Sequence, residues 1–390
     1  MAASPSVLLV AGAYYPEISA AGLQCQAVAA ALRGRARVSV LVTAADPALP
    51  SVETIDGVAV TRVAVDVRSG ASKASASIRL LGRLAGLLPR VDVIHIHGFS
   101  QKNVPVAVMA QLFHKPVVLT LHTSGQDEPQ AAGARGRLSN WAFRSPKMTL
   151  AVSPNLVRRC EDAGLPVDAV RLMPNGIDTS RFRPATGAER SALRRELGWA
   201  DDVPVVVFVG FFSRDKRPDL LFRAWRRLAD QGGRSKLAYI GATASPYFEI
   251  DEAIAREIRE RAADMGRADE VVFVEPTHAM ERYYRAADVF VLSSVREANP
   301  VALLEAMACG LPCIASRIEG ATDVIIEDGI NGRLVERDDE QGLAKMLGIV
   351  LANAGEASRL GRQARETIVT RYDIQQTAEH WLDAYRTVLE

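Results

Sequence analysis

The sequence predicts an α/β protein built from two doubly wound parallel sheets, and three observations lead to this prediction. Apolar runs of strand length alternate with helical patterns, and strand–helix–strand units form parallel sheets that helices cover on both faces. The alternation stops once, near Asp178, and then restarts. With 390 residues, the chain also exceeds the length at which one hydrophobic core usually divides.

The first half of the chain contains five apolar runs that fit buried strands. They are VLLVAG at 7–12, VSVLVT at 38–43, VDVIHIH at 91–97, PVVLTLH at 116–122 and MTLAVS at 148–153. The interruption, DTSRFRPATGAER, begins at Asp178. It is rich in charged residues, Pro and Gly, which is typical of a linker.

The second half of the chain repeats the pattern of the first. Its runs are PVVVFVG at 204–210, KLAYIG at 236–241, VVFVE at 271–275, DVFVLSS at 288–294 and PCIAS at 312–316. We therefore expect one domain over residues 1–185 and a second over 186–373, facing each other across a cleft, with a last helix at about 374–390 that packs back on the first domain. Ligands of such sheets bind outside the carboxyl ends of the strands.

Composition and charge narrow the class of protein. The four cysteines are too few and too scattered for a disulfide framework. The cysteine usage therefore predicts a protein of the reduced cytoplasm. No stretch reaches the roughly 18 apolar residues of a membrane span, so we expect the protein to be soluble or peripheral. The net charge of +1 hides an asymmetry, because residues 1–185 contain 20 Lys and Arg against 12 Asp and Glu.

The basic excess is concentrated in residues 67–91, which contain no acid. This segment predicts an amphipathic helix, and its composition is typical of an interfacial helix that contacts an anionic membrane at the inner face. A helix whose leucines face the domain core explains the same pattern. The apolar residues at helical spacing are Ile78, Leu81, Leu84 and Leu88, and the arginines beside them are Arg79, Arg83 and Arg90.

The stretch REANPVALLEAMACGLP, at 296–312, carries the strongest functional signal. Glu297 follows a predicted strand, Asn299 can cap a helix that starts at Pro300, and Glu305 lies in that helix beside its apolar stripe. Carboxylates accept hydrogen bonds from vicinal sugar or ribose hydroxyls, and helix-start amides suit a phosphate. The segment therefore predicts a nucleotide-sugar site. The alternative is that Glu305 pairs with a neighbouring Arg or Lys and that Glu297 is solvated.

The same stretch, read as E-x7-E followed by EAMACGLPCIAS, resembles the signature of the retaining GT-B glycosyltransferases of family GT4. The resemblance spans nearly the whole chain, and it implies a GT-B fold and transfer of a sugar from a UDP- or GDP-linked donor to a glycan, lipid-linked or small-molecule acceptor. The other similar segments are the interdomain segment NGIDTSRFRP at 175–184, the phosphate-binding loop and helix GFFSRDKRPDLLFRAW at 210–225, and the glycine-rich turn EGATDVIIEDGINGRLV at 319–335.

By this resemblance, the donor binds mainly to the second domain. Glu305 would hold the ribose hydroxyls, and Glu297 would hold the hydroxyls of the donor sugar. Lys216 would neutralise the diphosphate. The loop from Asn299 through Pro300 to Val301 would give amides to the sugar and the diphosphate.

The sequence departs from the family pattern at two places. Many members carry an arginine that joins the lysine on the diphosphate, where this chain has Phe211. Arg214 of the same loop is the candidate replacement, and a surface arginine is the alternative. In EGATDVI, Thr322 and Asp323 stand where the family often has Pro-Glu, which leaves the contacts of that turn open.

Two positions of the first domain also match the family. In YYPEISAAGLQCQ, Gly22 matches a glycine that lets the backbone approach the donor phosphates, although a turn glycine is the plainer explanation. His122 ends the run PVVLTLH, where the family's histidine faces the transferred sugar. His95 and His97 have a spacing compatible with metal binding, but no further ligand cluster follows, so we expect no metal site.

Asp127 and Glu128 follow His122 in the chain. They could line an acceptor pocket, but the pattern favours exposed loop acids.

We expect catalysis without a metal ion or other cofactor. No DxD motif occurs in the chain, and Lys216, Arg214 and the amides of a helix start can stabilise a leaving diphosphate instead. The resemblance implies that His122, Lys216 and Glu297 act in catalysis. The expected partners are a nucleotide-sugar and an acceptor, and no nucleic acid. A sugar-nucleotide epimerase of GT-B-like architecture and a non-catalytic GT-B scaffold are the alternatives.

Overall fold

The structure is a computed structural model that describes residues 4–244 and 250–390. The chain forms two compact units, one of Met1–Gly176 with Ile374–Glu390 and one of Ile177–Asp373. The division therefore falls before the linker motif and not at residue 185, where we expected it. Arg365 explains the difference, because its guanidinium donates to the carbonyls of Thr179 (2.9 Å) and Phe182 (2.7 Å) and holds this stretch on the second unit.

The first unit contains an eight-stranded sheet in the order β3-β4-β2-β1-β5-β6-β7-β8, parallel except at β3. The five predicted runs form β1, β2, β5, β6 and β7. The strands are β1 (Ser6–Ala11), β2 (Arg37–Ala44), β3 (Val52–Ile55), β4 (Val58–Ala64), β5 (Val93–His97), β6 (Val117–Leu121), β7 (Met148–Ala151) and β8 (Val170–Leu172).

The sequence analysis missed β3, β4 and β8. Strand β8 has only three residues, and β3 exposes much of its surface. A signal for the β3–β4 hairpin was nevertheless present, because the two strands are joined by Asp56 and Gly57. Both residues have positive φ, 50° and 83°, as the two-residue type I′ turn requires.

Six helices and the C-terminal helix (Ile374–Leu389) cover this sheet. The C-terminal helix packs on the core of the first unit, where Trp381 and Tyr385 are buried against β1 and α1 residues. The others are α1 (Ala20–Ala31), α2 (Gly70–Leu87), α3 (Asn103–Leu112), α4 (Pro129–Ala134), α5 (Arg137–Arg144) and α6 (Pro154–Asp162).

Helix α2 forms within the basic segment, but its inner face differs from the expected stripe. Ala76, Leu80, Leu84 and Leu88 are buried, whereas Ile78 is 72% exposed. The buried leucines are thus spaced four residues apart and face the core. The prediction that Ile78 belongs to the apolar face is wrong. Within the described ranges, no helix is long and apolar enough to cross a membrane.

The second unit contains six parallel strands in the order β11-β10-β9-β12-β13-β14. Along β9, Val205 and Val207 face one core while Val206 and Phe208 face another, so helices cover both faces. The strands are β9 (Val205–Val209), β10 (Lys236–Ile240), β11 (Val271–Val274), β12 (Val289–Leu292), β13 (Cys313–Ser316) and β14 (Arg333–Val335). The helices are α7 (Gly187–Leu197), α8 (Pro218–Asp230), α9 (Glu252–Asp264), α10 (Met280–Ala286), α11 (Val301–Ala308), α12 (Glu340–Ala352) and α13 (Ala354–Arg371).

Each sheet has one point at which the strand order reverses. In the first unit, β1 lies between β2 and β5, and in the second unit β9 lies between β10 and β12. The crevice outside the carboxyl ends of the strands at such a switch point is where doubly wound sheets bind ligands. The candidate ligand sites therefore lie at the carboxyl ends of β1 and β5 in the first unit, and at those of β9 and β12 in the second.

Candidate active site

A lysine and a glutamate meet at the switch point of the second unit. Lys216 follows β9 and Glu297 follows β12, and Lys216 Nζ lies 2.6 Å from Glu297 Oε1. The Glu297 side chain is only 7% exposed. It is therefore not the solvated acid of the alternative interpretation, because a buried carboxylate needs a cation or several hydrogen bonds to stay charged.

The loops that carry these two residues are also tied through their backbones. The amide of Val295 donates to the carbonyl of Asp215 (2.8 Å), and the Ser293 hydroxyl donates to the carbonyl of Lys216 (3.0 Å). Arg296 Nε donates to the Asp215 carboxylate (3.1 Å). These hydrogen bonds join the chain at Lys216 to the chain just before Glu297. They therefore fix the positions of the two side chains in addition to the attraction between their charges.

A close approach of two glycines shapes the start of the Lys216 loop, and the sequence analysis did not single it out. A Cβ on Gly241 would lie 2.1 Å from the carbonyl oxygen of Gly210, and Gly241 has a φ of +149°. Only glycine fits this contact. The lack of a side chain at Gly241 allows the backbones that follow β9 and β10 to pack closely, so that the loop containing Lys216 can turn back over the strand ends.

Glu305 lies in α11, and its partner is Tyr284 of α10. The Tyr284 hydroxyl donates to Glu305 Oε2 at 3.0 Å. Burial raises the pKa of Glu305 to about 7, and the bond from Tyr284 partly opposes this shift. In the described part of the chain Glu305 forms no ion pair with Lys or Arg. The alternative in which a basic neighbour neutralises Glu305 is therefore wrong.

Helix α11 begins one residue later than expected. Pro300 is the N-cap residue, with φ −68° and ψ 106°, and its carbonyl accepts from the amides of Leu303 (3.1 Å) and Leu304 (3.2 Å). The cause is the extended backbone of Pro300, which places Val301 in the first turn. Proline has no N–H, so only Asn299 and Val301 of the expected loop can offer amides to a ligand.

Arg214 and Lys216 have different acidic partners. Arg214 Nε lies 3.3 Å from an Asp251 carboxylate oxygen, and the Arg214 side chain is 88% exposed. The position of Phe211 is itself partly exposed. That Arg214 binds the diphosphate stays a prediction. Such binding would require the Arg214 side chain to move away from Asp251.

Thr322 has a structural role in the turn after β13. Its hydroxyl donates to the carbonyl of Ser316 (2.6 Å) and accepts from the amide of Ile318 (2.8 Å). Thr322 is fully buried. It closes the turn, which explains why a threonine can stand at this place of the family pattern; Asp323 beside it is half-buried.

Gly22 lies in the first turn of α1, under the preceding loop. A Cβ at this position would lie 2.6 Å from the carbonyl oxygen of Ala13. The amide of Gly22 donates to Ser19 Oγ at 3.0 Å, since Ser19 caps the helix. The glycine is therefore required by the backbone of the loop, and its own amide is already used by the cap.

His122 belongs to a buried cluster of histidines. His122 Nε2 lies 3.0 Å from His97 Nδ1, while His95 contacts the hydroxyls of Tyr385 (2.7 Å) and Thr120 (2.6 Å). Burial lowers the pKa of His122 to about 4 and lowers the pKa values of His95 and His97. All three rings are therefore neutral near pH 7. Among residues 4–244 and 250–390, no group of three or more His, Cys, Asp or Glu side chains is placed to hold a metal ion.

Asp127 is buried and braces the loop that follows β6. Its carboxylate accepts hydrogen bonds from the amides of Phe99 (2.9 Å), His122 (2.9 Å) and Thr123 (3.0 Å). The expectation of an exposed loop acid is wrong at Asp127, because the loop folds back onto its carboxylate. Glu128 accepts from the amide of Gly125 (2.8 Å).

Comparisons with known proteins agree with this architecture. A family model described as Glycosyl transferases group 1 matches residues 189–367, and the model of Glycosyltransferase Family 4 matches residues 21–181. A curated relative from Geodermatophilus obscurus, named D-inositol 3-phosphate glycosyltransferase, is 30% identical over 326 residues, which are 78% of this chain and 70% of the relative. The chain is a family 4 glycosyltransferase.

Other relatives of this glycosyltransferase lead to the same family and fold. A D-inositol 3-phosphate glycosyltransferase of Xylanimonas cellulosilytica is 29% identical over 92% of this chain and 88% of its own. Anabaena HepE in complex with UDP and glucose superposes with a TM-score of 0.81 at 19% identity, covering 98% of this chain and 100% of that one. Sucrose-phosphate synthase of Thermosynechococcus elongatus superposes with a TM-score of 0.83 at 20% identity, covering 98% and 99%. This glycosyltransferase thus has the two parallel-sheet domains of the GT-B fold.

Proposed function

We propose that this glycosyltransferase moves a sugar from a UDP- or GDP-linked donor to a glycan, lipid-linked or small-molecule acceptor, with retention of anomeric configuration and without a metal ion or other cofactor. The observation that carries the proposal is the arrangement at the β9/β12 switch point. There, Lys216 Nζ lies 2.6 Å from Glu297, and Glu297 lies in the loop that leads into α11. Helix α11 carries the buried Glu305.

Each carboxylate has a different task in this proposal. Glu305 accepts hydrogen bonds from the ribose hydroxyls through its carboxylate, while the Tyr284 hydroxyl holds one of its oxygens in place. Charged acceptors make hydrogen bonds worth about 1.5–3 kcal/mol each. Glu297 receives the hydroxyls of the donor sugar, because it lies in the loop and is already oriented by Lys216.

Positive charge for the leaving group comes from Lys216 and the start of α11. The ammonium has three protons, which it can share between Glu297 and a diphosphate. The amides of Asn299 and Val301 and the positive end of the helix add to it. This set of donors can stabilise the developing diphosphate charge in the way that a bound cation does in other transferases.

The chemical step requires no side-chain nucleophile. The bond between the anomeric carbon and the phosphate oxygen breaks, and its electron pair leaves with the diphosphate. The acceptor oxygen then forms its bond on the face that the leaving group vacates, and its proton passes to a leaving phosphate oxygen. Neutral His122 would face the transferred sugar and donate or accept one hydrogen bond there.

The class of acceptor is proposed from two observations. The curated relatives carry the name D-inositol 3-phosphate glycosyltransferase, which makes a phosphorylated polyol one candidate. Ile78 is 72% exposed on α2 beside the exposed arginines Arg79 and Arg83, which favours contact of residues 67–91 with an anionic membrane and so a lipid-linked acceptor. Co-sedimentation with anionic but not neutral vesicles, lost in high salt and in an Ile78→Ser variant, supports this contact; equal recovery with both vesicles rejects it.

A thermal-shift screen with UDP-, GDP- and ADP-sugars tests the donor. Ligands that bind the folded state raise the melting temperature by mass action, so we expect one base to stabilise the wild type and to lose its effect in Glu305→Ala. The stabilising donor is then incubated alone and with acceptors. Conversion of the donor without acceptor identifies an epimerase, and the anomeric NMR signal of a transfer product reports retention or inversion. No stabilisation by any nucleotide-sugar contradicts the proposal.

A further inference from the structure

The switch point of the first unit contains a lysine that the proposed donor site does not use. Lys102 is the residue at the start of α3, directly after the β5 loop. Its Nζ lies 3.2 Å from Thr43 Oγ1 near the end of β2, and a Cβ on Gly12, just after β1, would lie 3.4 Å from that Nζ. The ammonium group therefore lies over the carboxyl ends of β1 and β2, at the point where the strand order reverses.

The hydrogen bonds around Lys102 leave part of its ammonium free. The Thr43 hydroxyl donates its proton to the carbonyl of Gly12 at 3.0 Å, so its oxygen acts as the acceptor for Lys102. An ammonium has three protons, and Thr43 takes one of them. Among residues 4–244 and 250–390, Lys102 forms no ion pair and no other side-chain hydrogen bond.

The acidic group that most influences Lys102 is itself occupied. Glu17 interacts favourably with the Lys102 charge, but one oxygen of its carboxylate accepts from the amides of Ala45 (2.7 Å) and Asp46 (3.2 Å). Asp46 in turn accepts from the amide of Ala48 (2.8 Å). Burial lowers the pKa of Lys102 to about 8, so the group is still mostly charged near pH 7. No carboxylate of the described residues forms an ion pair with it.

We propose that Lys102 binds an anionic group of the acceptor, a phosphate or a carboxylate, at the β1/β5 switch point. The proposal rests on the proposed function, because it assigns to the first unit an acceptor for the sugar that the second unit delivers. An oxyanion would take the two remaining ammonium protons, and Gly12 adds no side chain that would block it. Lys102 is then the residue that selects charged acceptors over neutral ones.

Chemical labelling of lysines tests the site without knowledge of the natural acceptor. At about pH 8, roughly half of Lys102 is neutral, whereas an ordinary lysine with a pKa near 10.4 is almost fully protonated. We expect an amine-acylating reagent to modify Lys102 early. Inorganic phosphate should slow that modification, while the same concentration of chloride should not. These phosphate and chloride reactions all contain saturating UDP and GDP, so that phosphate cannot act through Lys216. A separate pair of reactions, with and without the two nucleotides, measures the labelling of Lys216.

The UDP arm separates the two proposals. Protection of Lys216 by UDP tests the donor site, and protection of Lys102 by phosphate tests the acceptor site. If UDP protects Lys216 but phosphate leaves Lys102 as reactive as before, the inference about Lys102 fails and the proposed function stands. If neither UDP nor GDP protects Lys216, the donor assignment fails independently of Lys102.

Variants give a second measurement. Lys102→Gln should weaken phosphate binding in the presence of UDP by about tenfold, as titration calorimetry measures it, since a charge-assisted contact is lost. The control is Lys115→Gln, because Lys115 lies just before β6, at the amino ends of the parallel strands, whereas Lys102 lies at their carboxyl ends. With acceptors, Lys102→Gln should raise KM for a phosphorylated polyol and leave KM for the neutral polyol unchanged. Equal phosphate affinity in both variants, or equal changes in KM for both polyols, overturns the inference.

Discussion

The two switch points of the molecule each hold a lysine, but the neighbours of the two lysines differ. Lys216 has a carboxylate, Glu297, at 2.6 Å. Among the residues that the structure describes, the side-chain partner of Lys102 is the hydroxyl of Thr43 at 3.2 Å. Both sheets thus place a cation where strand order reverses. The strand order therefore places a lysine at each switch point. Whether an acidic side chain lies within contact of that lysine determines whether its charge is neutralised by the protein or is available to bind a ligand.

The largest expected effect comes from removing the paired lysine. Lys216→Ala should reduce turnover by about 100-fold or more, because the leaving diphosphate loses its cation. It should also destabilise the protein by about 3–5 kcal/mol, since the buried Glu297 loses its partner. Initial rates and urea unfolding measure the two effects. The exposed Lys345 serves as the control site in Lys345→Ala.

A double variant sharpens this prediction. Lys216→Ala with Glu297→Gln should regain most of the lost stability, because the buried negative charge is removed together with the ammonium that neutralised it. Turnover should stay low. If Lys216→Ala is as active as Lys345→Ala, the paired lysine has no role in transfer and the comparison of the two switch points loses its functional meaning.

The next effect separates the two members of the pair. Glu297→Gln should lower turnover by about 10-fold to 100-fold, because the sugar hydroxyls lose a positioning acceptor, while Lys216 remains on the diphosphate. The affinity for UDP or GDP, measured by calorimetry, should change little. A parallel loss of nucleotide affinity would show that Glu297 anchors the whole donor and not the sugar alone.

Glu305 should affect binding more than turnover at saturating donor. Glu305→Ala should weaken binding of the nucleoside diphosphate by at least tenfold, because two charge-assisted hydrogen bonds to the ribose are lost. The matched variant is Tyr284→Phe, which removes only the hydroxyl that holds Glu305 and should have a smaller effect in calorimetry. Unchanged nucleotide affinity in Glu305→Ala rejects the ribose assignment.

The two switch points should respond to pH in opposite directions. Burial raises the pKa of Glu305 to about 7, so its carboxylate is charged above that pH and donor affinity should fall a few-fold as the pH falls from about 8 to 6. Burial lowers the pKa of Lys102 to about 8, so phosphate binding there should fall as the pH rises through that value. Calorimetry with Glu305→Gln and Lys102→Gln as references corrects for titration of the ligands. Parallel pH profiles in wild type and variant would contradict each assignment.

The smallest expected effect is that of chelation. EDTA should leave the transfer rate unchanged, because Lys216 and the amides of Asn299 and Val301 supply positive charge to the diphosphate. Initial rates with EDTA, and after addition of magnesium or manganese, measure this. Complete loss of transfer that a divalent ion restores would place a metal at the β9/β12 switch point and would remove the electrostatic role proposed for Lys216.

The sequence alone was sufficient to predict the strands and the helix that carry the proposed donor site. Strands β9 and β12 are continuous apolar runs bounded by turn residues, and the motif from Arg296 to Pro312 contains both glutamates. These are local patterns, in which periodicity and turn chemistry determine the backbone. The same local reasoning failed at Asp127, because the burial of a loop acid depends on whether distant amides fold onto it.

The tertiary structure was needed to show which residues are in contact. Lys216 and Glu297 are 81 positions apart, Lys102 and Thr43 are 59 apart, and Tyr284 and Glu305 are 21 apart. From the sequence we could predict that lysines and acids follow strands and that the chain consists of two doubly wound halves. The sequence did not determine that Lys102 would lie beside a hydroxyl and Glu305 beside a tyrosine, because helical crossovers between parallel strands bring together loops that are distant in the chain.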